Sequence, residues 1–242
     1  MSWAIVGGVT EPPNPSLDTV EILKPLDPDV RAATARRCRW RRFDAGEQIL
    51  DQQSGTQDVC FVVRGRVRVV NHSASGREIS FDDIPAGGTV GEMAAVDGGP
   101  RSASVVALDD GTLIAFLAPK PFLELATGHP GLALAVMRRL SGIARRATDR
   151  IMELSTLGAN NRVHAELLRL ARLHAKPDNT AVLEPIPLHA DIAARVSTTR
   201  ETVARVLGDL TRDGLLAKRG NALVIRDLDR LEEIVEDVRG AL

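Results

Sequence analysis

Short apolar runs alternate with turn-forming residues through the first half of the chain, from about Val20 to Pro119. The runs are rich in Val and Ile and are bounded by Gly, Asn, Asp and Pro, a pattern that predicts β-strands joined by tight turns. Several such strands at this spacing favour a barrel, a roll or a sandwich. The predicted strands are Val59–Val63, Val67–Val70, Ile79–Ile84, Ser104–Ala107 and Thr112–Leu117.

The hydrophobic period changes between Ala133 and Leu154, where apolar residues recur at alternating intervals of four and three. About three heptads of this kind form the a/d seam along which two helices pair. We therefore predict that this helix pairs with the same helix of a second chain. The alternative is a long helix packed on its own domain. The seam consists of Ala133, Met137, Leu140, Ala144, Ala147, Ile151 and Leu154.

Beyond Leu157 the pattern predicts three helices, a hairpin and a last acidic helix. Arg219-Gly220-Asn221 separates two short β runs and is typical of a hairpin turn. Two short helices followed by a hairpin make a winged helix-turn-helix, the fold of many DNA-binding domains. The predicted helices are Val163–His174, Ala190–Val196, Arg200–Asp213 and Leu228–Val238, and the hairpin strands are Leu215–Lys218 and Ala222–Ile225.

Composition excludes several classes of protein. With 242 residues, 44% hydrophobic and 26% charged, the chain is typical of a globular protein with one or two domains. A net charge of -1 excludes a uniformly polybasic coat for nucleic acid, and 3% aromatic residues argue against a base-stacking platform. Cys38 and Cys60 lack CxxC spacing, which indicates no four-thiolate metal site and fits a reducing cytoplasm.

Targeting and catalytic signals are also missing from the sequence. Residues 1–9 lack the basic region of a signal peptide, and no apolar stretch approaches the length of a membrane span. We expect a cytoplasmic protein with no membrane partner. No nucleophile–base pair, metal cluster or Walker-type loop supports an enzyme, which remains a remote alternative.

The near-neutral total charge conceals two opposite regions. Residues 160–226 carry 11 Lys and Arg against 7 Asp and Glu, whereas residues 227–242 carry 2 against 6. We therefore expect the predicted DNA-binding region to be basic and the last helix to face away from DNA.

Charged side chains cluster at the start of the second short helix, where a recognition helix meets base edges in the major groove. Arg200 and Arg205 suit the O6 and N7 acceptors of guanine, and Glu201 can accept from the cytosine amine. The alternative is ordinary helix chemistry. Glu201 and Arg205 have the spacing of an i,i+4 ion pair, and Thr198 and Glu201 have that of a capping box.

A second polar cluster follows the predicted strands, in the segment 91–103. Gly91 permits close backbone approach, Glu92 can accept a ribose hydroxyl, and Arg101 can neutralise a phosphate. Ser102 could add a hydroxyl, and backbone N–H groups of a short helix can cradle an anion. The alternative is that Glu92 and Arg101 pair with each other across a loop.

The string Arg200-Glu201-Thr202-Val203-x-Arg205 resembles the recognition helix of the cyclic-AMP receptor protein (CRP/FNR) family of bacterial regulators. The resemblance implies that its two arginines and its glutamate read a TGTGA-type half-site in double-stranded DNA. Ser197 departs from the family by standing where the turn usually has glycine, and His189 stands where a basic residue is common. The implied phosphate contacts are His189, Thr199 and Thr202.

Residues 81–103 resemble the cyclic nucleotide-binding β-roll and its phosphate-binding cassette. The resemblance covers about residues 40–225 and implies cAMP as the allosteric ligand, since Ser102 matches the bacterial cAMP pattern better than the threonine of cGMP binders. Family members also contact the purine from the long helix, where Thr148 is the best match, with Arg145 and Arg146 as further candidates. The implied ligand contacts are Gly91, Glu92, Met93, Arg101, Ser102 and Thr148.

The expected architecture is α+β, with a cyclic nucleotide-binding β-roll, a long dimerisation helix and a C-terminal winged helix-turn-helix. Three prolines near the start predict an N-terminal arm. The expected boundaries are 1–20 for the arm, 21–130 for the β-roll, 131–157 for the helix and 158–242 for the DNA-binding domain.

The expected protein is a cAMP-responsive homodimeric transcription regulator that also contacts RNA polymerase. The same fold could instead answer cGMP, another ligand or none. An iron–sulfur sensor would need about four clustered cysteines. A haem sensor would need a His or Cys axial ligand, for which His72 on a predicted hairpin is a candidate, although a lone exposed histidine is more often inert.

Overall fold

A computed structural model describes residues 16–73 and 78–240, with the backbone alone for 237–240. Within these residues the chain forms two compact units. One comprises 16–71 and 81–144, and the other comprises 72–73, 78–80 and 145–240. The division falls inside the long helix α4, Pro130–Thr156.

The first unit is built mainly of antiparallel β-strands with helices before and after them. A single 3₁₀ turn, Glu21–Leu23, precedes α1 (Pro28–Arg37), and α2 (Glu92–Asp97) and α3 (Pro119–Gly128) follow later in the chain. The strands are β1 (Arg39–Phe43), β2 (Gln48–Leu50), β3 (Val59–Arg64), β4 (Arg66–His72), β5 (Glu78–Pro85), β6 (Thr89–Val90), β7 (Ser104–Ala107) and β8 (Thr112–Leu117). Of these strand residues, His72 and residues 78–80 fall in the second unit. All five strands expected from the sequence are present, and the short strands β1, β2 and β6 were missed.

Two four-stranded sheets give this unit its shape, in the orders β1-β8-β3-β6 and β2-β7-β4-β5. One hydrophobic cluster draws side chains from strands of both sheets, including Phe43, Cys60 and Val105. A second cluster lies where β1, β3 and β8 contribute Trp40, Phe61 and Ala115 to a core shared with the helices. Such sharing explains why β3 is apolar on both faces.

The N-terminal part of α4 packs on its own unit. Leu132 and Val136 are buried in the same cluster as Phe122 of α3. Leu17 and Val20 are buried there as well, so the described end of the expected N-terminal arm is packed. Residues 1–15 of that arm lie outside the described part of the chain.

The second unit contains the predicted helix-turn-helix and wing. Its helices after α4 are α5 (Ala159–Arg172), α6 (His189–Arg195), α7 (Arg200–Arg212) and α8 (Leu228–Gly240). A three-stranded sheet in the order β10-β11-β9 consists of β9 (Ala181–Leu183), β10 (Leu216–Arg219) and β11 (Ala222–Ile225). Gly220-Asn221 forms the hairpin turn, with Gly220 at φ 58°.

One hydrophobic core holds this unit together. Ile192 of α6, Val203 of α7 and Leu167 of α5 are buried in it, and Leu231 joins from α8. Apolar side chains of both short helices are therefore buried in one core with α5 and α8. The mixed α+β architecture expected from the sequence is confirmed.

Candidate functional site

Gly91 connects strand β6 to helix α2 at a point where a side chain could not fit. Its φ is +84°, in the left-handed region that glycine adopts without strain. A Cβ there would lie 2.5 Å from Nη1 of Arg101 and 2.8 Å from the Asp58 carbonyl oxygen. The backbone and the Arg101 guanidinium therefore meet at contact distance at the start of α2.

Arg101 is a buried cation that donates hydrogen bonds to two main-chain oxygens and one side-chain hydroxyl. It is 3% exposed. Its Nη1 donates to the Gly91 carbonyl oxygen at 3.1 Å, and Nη2 donates to the Asp58 carbonyl oxygen at 2.9 Å and to Thr56 Oγ1 at 3.4 Å. Its Nε is buried with no hydrogen-bond partner among the described residues. The guanidinium is therefore a buried positive charge with one N–H donor that has no partner among the described residues.

Glu92 is paired with an arginine that sequence reasoning missed. Arg139 of α4 donates from Nε to Glu92 Oε1 at 2.5 Å and from Nη2 to the Thr89 carbonyl oxygen. The expected alternative, an ion pair between Glu92 and Arg101, does not form within the described residues. No signal in the sequence distinguishes Arg139 from its neighbour Arg138.

The cluster formed by Arg101, Glu92 and Arg139 has a net positive charge. Arg139 neutralises the Glu92 carboxylate, and Arg101 forms no ion pair with any carboxylate of the described chain. A buried cation without a counter-ion is costly unless an anion joins it. The cluster, here called the cassette, thus suits a ligand with about one negative charge.

Ser102 and Met93 lie next to each other beside the cassette. Ser102 Oγ is 3.7 Å from Met93 Sδ, and Asn71 Nδ2 donates to the Ser102 carbonyl oxygen at 3.1 Å. The structure therefore brings together five of the six predicted ligand contacts. Thr148 is an exposed residue of α4 and belongs to the second unit.

Helix α7, the predicted recognition helix, begins with a side-chain cap. Thr199 Oγ1 accepts from the Thr202 backbone N–H at 3.2 Å. The cap is thus Thr199, and the alternative of a capping box between Thr198 and Glu201 is wrong because Thr198 precedes the cap and Glu201 is the second residue of the helix. A hydrogen bond from its own backbone N–H, together with one from the Thr199 hydroxyl, lowers the pKa of Glu201.

The first turns of α7 present their charged side chains to solvent. Arg200 and Glu201 are exposed, and Arg200 has no hydrogen-bond or ion-pair partner within the described residues. Arg205 is also exposed and donates from Nη2 to Asn160 Oδ1 at 3.0 Å. The alternative of a Glu201–Arg205 ion pair therefore does not form among these residues. His189 is exposed at the first position of α6.

The described residues give little support for a reactive thiol, a metal site or a membrane span. Burial raises the pKa of the Cys38 thiol to about 12 and raises the pKa of Cys60 further, so both stay protonated. No group of three or more His, Cys, Asp or Glu there could hold a metal ion. None of the described helices is both long and apolar enough to span a membrane.

Comparisons with known proteins match both halves of the chain. A cyclic nucleotide-binding domain matches residues 40–129, and a Crp-like helix-turn-helix domain matches residues 161–234. The cyclic AMP receptor protein of Thermus thermophilus is 34% identical over 199 residues, which are 80% of this chain and 87% of that protein.

Solved structures give the same result. FixK2 from Bradyrhizobium japonicum is 25% identical with a TM-score of 0.66, covering 81% of this chain and 96% of its own. The c-di-GMP responsive global regulator CLP of Xanthomonas campestris is 21% identical with a TM-score of 0.69, and the match covers 78% of this chain and 94% of that protein. The second of these shows a common fold only.

Proposed function

This chain belongs to the CRP/FNR family of transcription regulators, and from that premise we propose that it is a homodimer that binds cAMP and then reads a TGTGA-like palindrome. The family carries a cyclic nucleotide-binding domain and a helix-turn-helix domain. The choice of cAMP, the palindrome and the homodimer is the proposed part. Each of the three is supported by separate residues.

The observation that carries the ligand proposal is the buried Arg101 with its unpartnered Nε. A cyclic nucleotide has one negative charge on its phosphate and one ribose 2′-hydroxyl. Arg101 is the group that would neutralise the phosphate. Glu92 would accept the ribose hydroxyl through lone pairs that Arg139 leaves free, since a carboxylate has about four acceptor sites. The charge of the cassette and its hydrogen-bonding groups therefore both suit such a ligand.

The homodimer proposal rests on the apolar seam of α4. Three of its large side chains are strongly exposed in the single chain, with Met137 at 56%, Ile151 at 63% and Leu154 at 43%. Apolar side chains in a regular heptad array are stabilised when a second helix covers them. A second copy of this chain presents the identical seam and suits a two-fold axis.

DNA binding would use the exposed first turns of α7. Arg200 would read a guanine and Glu201 a cytosine, whereas Arg205 would exchange Asn160 for a base edge. Phosphate contacts would come from His189, Thr199 and Thr202. A dimer would place two such helices in successive major grooves of a palindrome. Contact with RNA polymerase is part of the same proposal.

A regulator with the same fold that answers another nucleotide is the second candidate. The c-di-GMP responsive regulator CLP has this fold, so the fold alone does not select the ligand. The single net positive charge of the cassette suits a cyclic mononucleotide, and the exposed serine at position 102 matches the cAMP pattern better than the cGMP pattern. A dinucleotide with two phosphates would need a second cation beside Arg101.

Calorimetric titration of the purified protein with cAMP, cGMP and c-di-GMP tests the proposal. We expect one cAMP site per chain, with weaker binding of the other two. Arg101→Leu should lower cAMP affinity by about 2–5 kcal/mol because the phosphate loses its charged partner. Arg42→Leu, which removes an exposed arginine of the same unit, is the matched control. Unchanged cAMP affinity in Arg101→Leu would contradict the assignment of this site.

A further inference from the structure

Arg162 fastens the turn of the helix-turn-helix to the end of the long helix. Its Nε donates to the Val196 carbonyl oxygen at 2.9 Å, and its Nη2 donates to the Ser197 carbonyl oxygen at 3.2 Å. The remaining nitrogen, Nη1, donates to the carbonyl oxygen of Leu157 at 2.7 Å, one residue after α4 ends. One guanidinium therefore joins the backbone at the end of α4 to the backbone of the turn.

Arg150 reaches the same turn directly from α4. Its Nη2 donates to Ser197 Oγ at 3.1 Å, and its Nη1 lies 3.8 Å from Oε2 of Glu153 on the same helix. The Glu153 carboxylate helps to hold the guanidinium in this direction. Ser197 thus provides the only side-chain acceptor among the contacts that these two arginines make with the turn in the described structure.

Ser197 has a backbone conformation that serine rarely adopts. Its φ is +50°, in the left-handed region where a side chain costs free energy and glycine does not. A strained residue persists where its surroundings hold it, and such strain is often linked to function. Here the hydroxyl has a specific use, because glycine at 197 would relieve the strain but would remove the acceptor for Arg150.

We propose that the Arg150–Ser197 hydrogen bond is a positioning contact through which α4 orients the recognition helix. Ser197 lies two residues before Thr199, the cap of α7, and three before Arg200. Arg150 lies next to Ile151 of the dimer seam, so a shift of the seam moves its guanidinium. The inference rests on the proposed function, because the consequence of the positioning is DNA binding by a dimer.

The contact could instead serve only the stability of the fold, and Ser197→Gly separates the two roles. Glycine relieves the strain, so a purely structural role predicts equal or higher free energy of unfolding and unchanged DNA binding. A positioning role predicts the same or higher free energy of unfolding together with weaker DNA binding. The two roles therefore differ in their effect on DNA binding at a single substitution.

The experiment compares Ser197→Gly, Arg150→Gln and the double variant with the wild type, and uses Arg138→Gln as an exposed-arginine control on α4. Three quantities are measured: urea unfolding, amide hydrogen exchange of residues 196–203, and affinity for a TGTGA palindrome with cAMP present. We expect each single variant to accelerate exchange and to weaken DNA binding by about tenfold. The double variant should bind DNA no more weakly than either single variant, because each substitution removes the same hydrogen bond.

Unchanged exchange in Ser197→Gly and Arg150→Gln would overturn the positioning contact. Additive losses in the double variant would overturn it as well. Failure of the wild type to bind the palindrome would contradict the proposed function, whereas the exchange data would still decide whether Arg150 and Ser197 hold the turn.

Discussion

The ligand cassette and the recognition helix use arginine in opposite ways. In the cassette, Arg101 is buried and held by carbonyl oxygens, and Arg139 is paired with the buried Glu92. On α7, Arg200 is exposed and has no partner in the described structure. The cassette is therefore preorganised by the fold, whereas the charges of α7 are exposed and, under the proposed function, would be ordered by DNA.

Substitutions in the buried cassette and on the exposed face of α7 should therefore have different effects. A change in the cassette disturbs both stability and ligand binding because its side chains are part of the packed interior. A change on the exposed face of α7 leaves the free energy of unfolding nearly unchanged and alters recognition alone. This contrast can be tested at positions that have matched controls.

The largest effect is expected at Gly91. Gly91→Ala would force a Cβ against Arg101 and against the Asp58 carbonyl oxygen, in addition to the cost of a left-handed alanine. We expect a loss of about 2–5 kcal/mol in the free energy of unfolding, measured by urea denaturation, with loss of cAMP binding.

Gly98→Ala is the control for Gly91→Ala. Gly98 has φ +70°, but a Cβ added there would meet nothing within 4 Å, so alanine carries only the conformational cost of about 1–2 kcal/mol. Equal losses in the two variants would show that the close approach of Arg101 to the backbone is unimportant.

The seam of α4 ranks next, since it is exposed in one chain but buried in the proposed dimer. Ile151→Glu should weaken dimerisation by roughly 3 kcal/mol, because two isoleucines lose their burial at once. Met152→Glu, one residue away and also exposed, lies off the seam and should change dimerisation little. Analytical ultracentrifugation distinguishes the two, and equal dissociation constants would contradict the seam.

Arg200→Ala should cost about 1–3 kcal/mol in specific DNA affinity and relax specificity at one guanine. Its thermal stability should match the wild type because the side chain has no partner to lose within the described residues. The control is Arg212→Ala, at the far end of α7, whose side chain pairs with Asp209. Selection of binding sites from a randomised duplex pool gives the readout, and an unchanged preference at every base pair would exclude Arg200 as a reader.

The smallest effect is expected from the acidic face of α8. Neutralising Glu232, Glu233 and Glu236 should increase non-specific DNA binding and steepen its salt dependence. Glu232 pairs with Arg172 of α5, so neutralising Glu232 also releases the positive charge of that arginine. A double variant that keeps Glu232 isolates the effect of this pair. Identical salt slopes for the wild type and both variants would contradict charge masking.

The sequence predicted the elements with strong periodicity and missed contacts that depend on tertiary approach. The predicted strands and the helices of the second unit are present because their apolar positions repeat at the right period over several residues. Strand β6 has two residues, too few to show alternation. Arg139 was missed because its partner Glu92 lies 47 positions away and only the packing of α4 brings them together.

Single-residue details of the site were predicted less well. The spacing of Thr198 and Glu201 allowed a capping box as an alternative, but the cap of α7 is Thr199, since local spacing between neighbouring threonines does not select one of them. The departure at Ser197 was visible in the sequence, but its hydrogen bond to Arg150 was not. The resemblance predicted a cluster of this composition. The pairing of Glu92 with Arg139 became visible only in the folded structure.

The central claim is that an anion bound at the buried cassette controls binding by the exposed helix, and one measurement tests it most directly. Fluorescence anisotropy of a labelled TGTGA palindrome is recorded with the wild-type protein, with and without cAMP, at fixed salt. We predict tight, salt-sensitive binding with cAMP and weak binding without it. Equal affinity in the two conditions would contradict the claim.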